Sequence, residues 1–304
     1  MLRVGIIGCG DIANLNILGY LCSQDTELIA VCDTDIKRAG EKLEHWGLRT
    51  VKIYEDYKQM VLRDTLNDRE LLDRFSQNGD LPPHYGFRID ERIIEYPWVL
   101  ARLGFASCLL LDAGSALNYQ YLLDLPVLRN RSVVIYNLSA EGVVGRSNVS
   151  YIYGDLRHTI LKSECFDEII CISTLEHVGM NNTFLYTKDP RFNEFNQDDY
   201  HDVIREFKRL LKPGGKLFIT VPYGRYENHG WLQQFNHKNI EKVLEVFEGS
   251  TSSVAYYKYL SDGWQISDAD DCTDCSYFDI HIRSDYEPDY VAAARAVACI
   301  EMVK

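Results

Sequence analysis

Two apolar runs in this chain break into glycine-bearing turns, and both breaks fit the hand-over from strand to helix in a nucleotide-binding α/β fold. The first is Val4-Gly5-Ile6-Ile7 followed by Gly8-Cys9-Gly10-Asp11-Ile12-Ala13. The second is Cys108-Leu109-Leu110-Leu111 followed by Asp112-Ala113-Gly114-Ser115-Ala116-Leu117-Asn118. Glycine supplies the positive φ of a tight turn and lets backbone approach a ligand. The helix that follows offers unpaired N–H groups and the positive end of its dipole. With 304 residues there is room for about two domains. The question is which turn has the rest of its sheet.

The first turn has the better local fingerprint. Residues 2–7 read as a strand, Ile12 to Ser23 as a helix, and Glu27 to Asp33 as a second strand ending in an acid. Gly8 permits the turn, Gly10 admits a pyrophosphate, and Ala13 allows close helix–strand packing. Asp33 lies about 20 residues on, where an acid binds a ribose 2′-OH. After Val61 the pattern turns polar and helical, so only one mononucleotide half is present. Residues 1–62 therefore read as a partial dinucleotide-binding unit. Residues 63–82 read as a linker, with Gln77-Asn78-Gly79-Asp80-Leu81-Pro82-Pro83 as its loop signal. Residues 83–304 form the second unit.

The second turn opens a longer series. Ser132–Tyr136 is a second strand ending at Asn137-Leu138-Ser139, and Val149–Tyr153 a third ending at Gly154-Asp155-Leu156. Phe166–Ser173 is a fourth, ending at Thr174-Leu175-Glu176-His177. A helix from about Asp198 to Leu211 stops at Lys212-Pro213-Gly214-Gly215, and Lys216–Pro222 is a fifth strand. Alternation of this kind predicts a Rossmann-like, doubly wound, mostly parallel sheet with ligands at the carboxyl ends of its strands. An amphipathic helix from Asp90 to Leu103, interrupted by Pro97, precedes it. Tyr256–Tyr259 reads as a late strand, and Val291 to Met302 as an apolar segment packing on the sheet.

Two resemblances follow from these residues. Leu2 through Met60 resembles the N-terminus of the glucose–fructose oxidoreductase and inositol dehydrogenase family (Gfo/Idh/MocA), which implies NAD on Gly8, Gly10 and Asp33. That family's Glu-Lys-Pro motif and substrate domain have no counterpart here, which opposes a working dehydrogenase. The second unit resembles a class I S-adenosylmethionine-dependent methyltransferase. Its phrases are Asp90–Trp98, Leu111-Asp112-Ala113-Gly114-Ser115, Gly154-Asp155-Leu156-Arg157, Phe166–Ile169, Leu175–Val178 and Leu211–Gly215.

This second resemblance implies roles. Asp112 and the Gly114 turn, with Ser115 and Asn118, face the methionine end of S-adenosylmethionine. Asp155 accepts from the adenine amino group, with Leu156 against the ring. Ser173 and Thr174 border the sulfonium. Glu176 and His177 stand where acceptor meets cofactor, and His177 is the leading base because its ordinary pKa lies near neutrality. The acid expected at the second strand end is missing. Asn137 or Ser139 would grip the ribose with neutral hydrogen bonds, and Glu141 is the fallback.

The remaining totals narrow the partners. A net charge of −13 disfavours a nucleic-acid substrate. No apolar run reaches about 18 residues and no signal segment is evident, so the cytoplasm and no membrane are the expectation. The nine cysteines show no disulfide spacing, and a lone Cys272-Thr273-Asp274-Cys275 cannot complete a zinc site; no metal is expected. The loop Tyr223–Trp231, with His229 and then His237, is aromatic and polar. It suits a small-molecule or glycan acceptor. A homo-oligomer is left open, and so is a non-catalytic protein with decayed sites.

Overall fold

The computed structural model describes residues 2–104, 107–187, 189–279, 281 and 293–304. The chain divides between Asp68 and Arg69 into two compact units. That division falls inside the 63–82 stretch, which is not an extended linker: helix carries most of it on both sides of the division.

The first unit runs β1 (Leu2–Ile7), α1 (Ala13–Leu21), β2 (Thr26–Cys32), α2 (Ile36–His45), β3 (Lys52–Tyr54) and α3 (Tyr57–Thr65). Its strands form a parallel sheet in the order β1-β2-β3. Asp35 caps α2 by accepting from the Arg38 N–H at 3.0 Å, and Asp56 caps α3 by accepting from Lys58 at 2.8 Å. Ile6, Cys9, Ala13, Ile17, Val31, Ala39 and Leu43 form its core.

The second unit begins with α4 (Arg69–Ser76) and α5 (Arg92–Leu100), then β4 (Leu109–Ala113), α6 (Gln120–Leu123), α7 (Pro126–Arg129), β5 (Ser132–Asn137), β6 (Val149–Tyr153) and β7 (Phe166–Ile172). It continues with α8 (Tyr200–Leu210), β8 (Leu211–Pro222), β9 (Glu227–Asn228), β10 (Gln233–Gln234) and α9 (His237–Phe247). It closes with β11 (Thr251–Leu260), β12 (Gly263–Ser267), β13 (Tyr277–Phe278), β14 (Ala293–Ala294) and β15 (Ala296–Val303). The main sheet orders as β12-β11-β15-β8-β7-β4-β5-β6. Strands β8, β7, β4, β5 and β6 are mutually parallel. β15 is antiparallel to both neighbours and β12 to β11. This is the expected doubly wound, mostly parallel fold. The chain steps outward from β4 to β6, then returns to β7 on the other side of β4, so the topological switch lies between β4 and β7.

Local chemistry explains several elements. Pro97 sits inside α5 and cannot donate to the Ile93 carbonyl. The Tyr85 hydroxyl donates to that carbonyl instead, at 2.7 Å, and the helix runs on. Trp98 on the same helix packs edge-on against Phe218 at 6.2 Å. Beneath the sheet, Val203, Ile204, Phe207 and Leu210 of α8 are buried against Leu217 and Ile219.

Two expectations change. Lys212-Pro213-Gly214-Gly215 does not separate helix from strand, because β8 already begins at Leu211. Leu211 pairs with Phe166, and pairing resumes at Lys216 with Glu168. The four residues between bulge from the ladder, as a proline without an N–H and a glycine at φ 76° require. The C-terminal apolar segment does not pack on the sheet but enters it: β15 is inserted between β11 and β8. Val291 and Ala292, its first two residues, lie outside the described residues.

Candidate functional site

The carboxyl ends of β4, β5, β6 and β7 meet around a cleft of about 240 Å³. Gly114, Asn137, Leu138, Gly154, Asp155, Leu156, Arg157, Ser173 and Thr174 line it from the strand ends. His177, Val178, Asn182, Leu185, Tyr186 and Glu194 line it from the segment that follows β7. Of the residues predicted for the site, the cleft gathers Gly114, Asn137, Asp155, Leu156, Ser173, Thr174 and His177.

Gly114 sits at φ 107°. A Cβ there would lie 2.0 Å from Thr174 Oγ1, so the ends of β4 and β7 abut with no room for a side chain. Asp112 lies beneath the turn. It is fully buried, and its carboxylate accepts from the backbone N–H groups of Ala116 at 3.1 Å and Leu117 at 2.8 Å. Burial pushes its pKa up to about 7 against those bonds. Asp112 therefore builds the turn and is not among the residues that line the cleft. Ser115, at φ 64°, donates to Glu141. Asn118 donates to the Gly142 carbonyl at 2.7 Å and accepts from the Tyr151 hydroxyl at 2.9 Å. These two residues tie the turn to the loop after β5 and stand outside the cleft lining, as does Ser139.

At the end of β6, Asp155 is gripped by Arg157. The guanidinium Nε lies 3.0 Å from each carboxylate oxygen, and Nη2 lies 2.6 Å from Oδ2. Burial raises the Asp155 pKa, but the Arg157 hydrogen bonds and charge outweigh it and hold the group below its ordinary value. Arg157 also reaches Glu194 and Asp199. Sequence reasoning quoted Arg157 only as part of a motif and missed Glu194 and Asp199. Nothing local marks them, since they approach from about 40 residues away.

At the end of β7, Ser173 takes φ 40° and its hydroxyl donates to Glu95 Oε1 at 2.6 Å. Thr220 donates to the same oxygen at 2.8 Å, and Arg92 pairs with the other at 2.6 Å. Glu95 is fully buried, and these partners satisfy it. The next turn carries Glu176 and His177. Glu176 is buried, one of its oxygens lacks a hydrogen-bond partner, and burial pushes its pKa up to about 8. His177 Nδ1 lies 3.1 Å from the Trp231 carbonyl. A carbonyl only accepts, so Nδ1 carries the hydrogen and Nε2 keeps its lone pair. Burial pulls the His177 pKa down to about 4, and Nε2 lies 4.0 Å from Glu176.

Behind His177 stands an aromatic and acidic cluster. The Trp231 ring lies 5.1 Å from His177, and its indole N–H donates to Asp279 at 2.9 Å. His229 lies 3.3 Å from both Glu227 and Asp279. Phe184, Tyr277 and His281 pack around Trp231. His237 is elsewhere, exposed on α9 beside Glu241. Cys272 and Cys275 are buried free thiols. Among the described residues no group of three or more His, Cys, Asp or Glu side chains could hold a metal, and no helix is long and apolar enough to cross a membrane.

In the first unit Asp33 follows β2 and faces the glycine turn. It is buried, and its carboxylate accepts from Cys9 N at 2.6 Å, Asp35 N at 2.8 Å and Arg38 at 3.2 and 2.6 Å. The Arg38 hydrogen bond holds it well below the usual carboxylate range. The acid thus ties the glycine turn to the start of α2. Gly8 takes φ 87°, whereas a Cβ on Gly10 would meet nothing within 4 Å.

The second unit is thus a doubly wound α/β domain with a ligand cleft at its topological switch. Residues 111–219, from β4 into β8, match the family model described as a methyltransferase domain. No curated protein matches the chain. Among solved structures, it is similar to 1,6-didemethyltoxoflavin-N1-methyltransferase of Burkholderia thailandensis, solved with 1,6-didemethyltoxoflavin and S-adenosylhomocysteine. That likeness has 14% identity and TM-score 0.37, over 65% of this chain and 72% of that one. An S-adenosylmethionine-dependent methyltransferase of Mesorhizobium loti is similar at 13% identity and TM-score 0.42, over 69% and 97%. The matched stretch contains every residue that lines the cleft.

Proposed function

We propose that this enzyme transfers a methyl group from S-adenosylmethionine to oxygen or nitrogen of a small-molecule or glycan acceptor. The observation that carries the reading is one cleft with Asp155 and Leu156 at one part of its wall and the ring of His177 at another. When bound, the cofactor supplies an electrophilic methyl on a cationic sulfur. The chain's residues bind, orient and move a proton. Asp155 accepts from the adenine amino group while Arg157 fixes its carboxylate, and Leu156 lies against the ring. Gly114 and Thr174 admit the methionine end by close backbone approach, and Ser173 borders the sulfonium. His177 Nε2 takes the acceptor's proton, with Glu176, neutral below about pH 8, beside it. The polar aromatic cluster of Trp231, Tyr277, His229 and Asp279 backs His177 on the acceptor side.

Calorimetric titration tests this directly. S-adenosylhomocysteine binds the protein and NAD does not. Asp155→Ala weakens S-adenosylhomocysteine about 10- to 100-fold, the worth of roughly 1.5–3 kcal/mol for a hydrogen bond to a charged group. Unchanged affinity in Asp155→Ala would remove the adenine assignment, and NAD binding alone would move the activity to the first unit.

A further inference from the structure

The strand-end acid that binds ribose hydroxyls in nucleotide-binding sheets is replaced here by Asn137 at the end of β5. Asn137 lines the cleft, but its side chain is already committed. Its Oδ1 accepts from Leu138 N at 2.9 Å, and its Nδ2 donates to Glu141 Oε1 at 3.1 Å. The same Glu141 oxygen accepts from the hydroxyl of Ser115 on the glycine turn. One carboxylate oxygen is thereby anchored to both strand ends that flank the cleft. The other, Oε2, has no hydrogen-bond partner among the described residues, and Glu141 is exposed, bonded to the lining residue Asn137 but not itself one of the residues that line the cleft. The loop that carries it is also held: Asn118 donates to Gly142 O at 2.7 Å, and Val144 N donates to the Tyr151 hydroxyl at 2.8 Å. Glu141 is therefore not a free surface acid.

We infer that Glu141 is the ribose-binding acid of this cofactor site, delivered by the loop after β5 instead of by the strand end. The inference rests on the reading of the cleft as an S-adenosylmethionine site. Two donors on Oε1 orient the carboxylate and leave Oε2 to accept from ribose hydroxyls. Bonds to an ionised acceptor are roughly twice as strong as neutral ones, so the loop restores what Asn137 lacks. Ser115 and Asn118, which replace glycines in the turn, hold this loop in place.

Equilibrium binding of S-adenosylhomocysteine and its 2′-deoxy analogue to the full chain tests the inference. The unsubstituted protein prefers S-adenosylhomocysteine by about tenfold or more. Glu141→Gln loses most of that preference, and Asn137→Asp in the Glu141→Gln background restores it. A preference that survives Glu141→Gln overturns the assignment. So does an equal loss of affinity for both ligands, because that would make Glu141 only a tether for the turn. If S-adenosylhomocysteine fails to bind the unsubstituted protein, the cofactor reading falls and this assignment with it; binding without the preference removes this assignment alone.

Discussion

His177 and Glu176 are neighbours in sequence, and burial moves them in opposite directions, to about 4 and about 8. Between those values both are uncharged, so the ring keeps its lone pair beside a neutral acid. The ring should titrate in NMR with a midpoint near pH 4, and a midpoint near 6.5 would contradict the burial argument. The sign for stability follows. An unfolded histidine takes its proton near 6.5, while the folded one waits until about 4, so between these values the unfolded chain binds more protons. Folding stability then falls as pH falls through that window. His177→Gln should remove this component, seen as a smaller difference between urea midpoints at pH 7 and pH 5. The place of His177 after a strand end was legible in the sequence. Its tautomer was not, because the Trp231 carbonyl that sets it lies 54 residues away. Asp112 shows the converse: the residue was picked out, but its two backbone bonds give it a structural task.

At the scale of elements, the two glycine turns separate by crowding. Gly114→Ala puts a methyl 2.0 Å from Thr174 Oγ1 at φ 107°. The left-handed strain costs roughly 1–2 kcal/mol and the overpacking roughly 1–3 kcal/mol. Gly10→Ala meets nothing within 4 Å at ordinary φ, and its effect should stay within about 0.5 kcal/mol. Thermal melts of the two variants check this contrast; equal losses would contradict it. The strands from β4 to β8 were readable because each is an apolar run ending in a polar residue. β15 was not, since its apolar stretch enters the sheet between strands far away in sequence. The bulge at Lys212–Gly215 looked like a helix stop because proline and glycine serve both purposes.

At the scale of the molecule, strand order decides which turn can hold a ligand. In the second unit the reversal between β4 and β7 gathers four strand ends around one cleft. In the first unit the sheet order is β1-β2-β3, and Asp33 accepts from Cys9, Asp35 and Arg38. The local fingerprint pointed to the first turn, and only the continuation of each sheet pointed to the second. Glu194 and Asp199 stayed out of reach of sequence reasoning because long-range folding alone brings them to Arg157. The most direct test is hydrogen exchange with and without S-adenosylhomocysteine. The account predicts slowed exchange at residues 137–138, 154–157 and 173–178, with no change at 8–13 or 33–38. Protection confined to the first unit would contradict it.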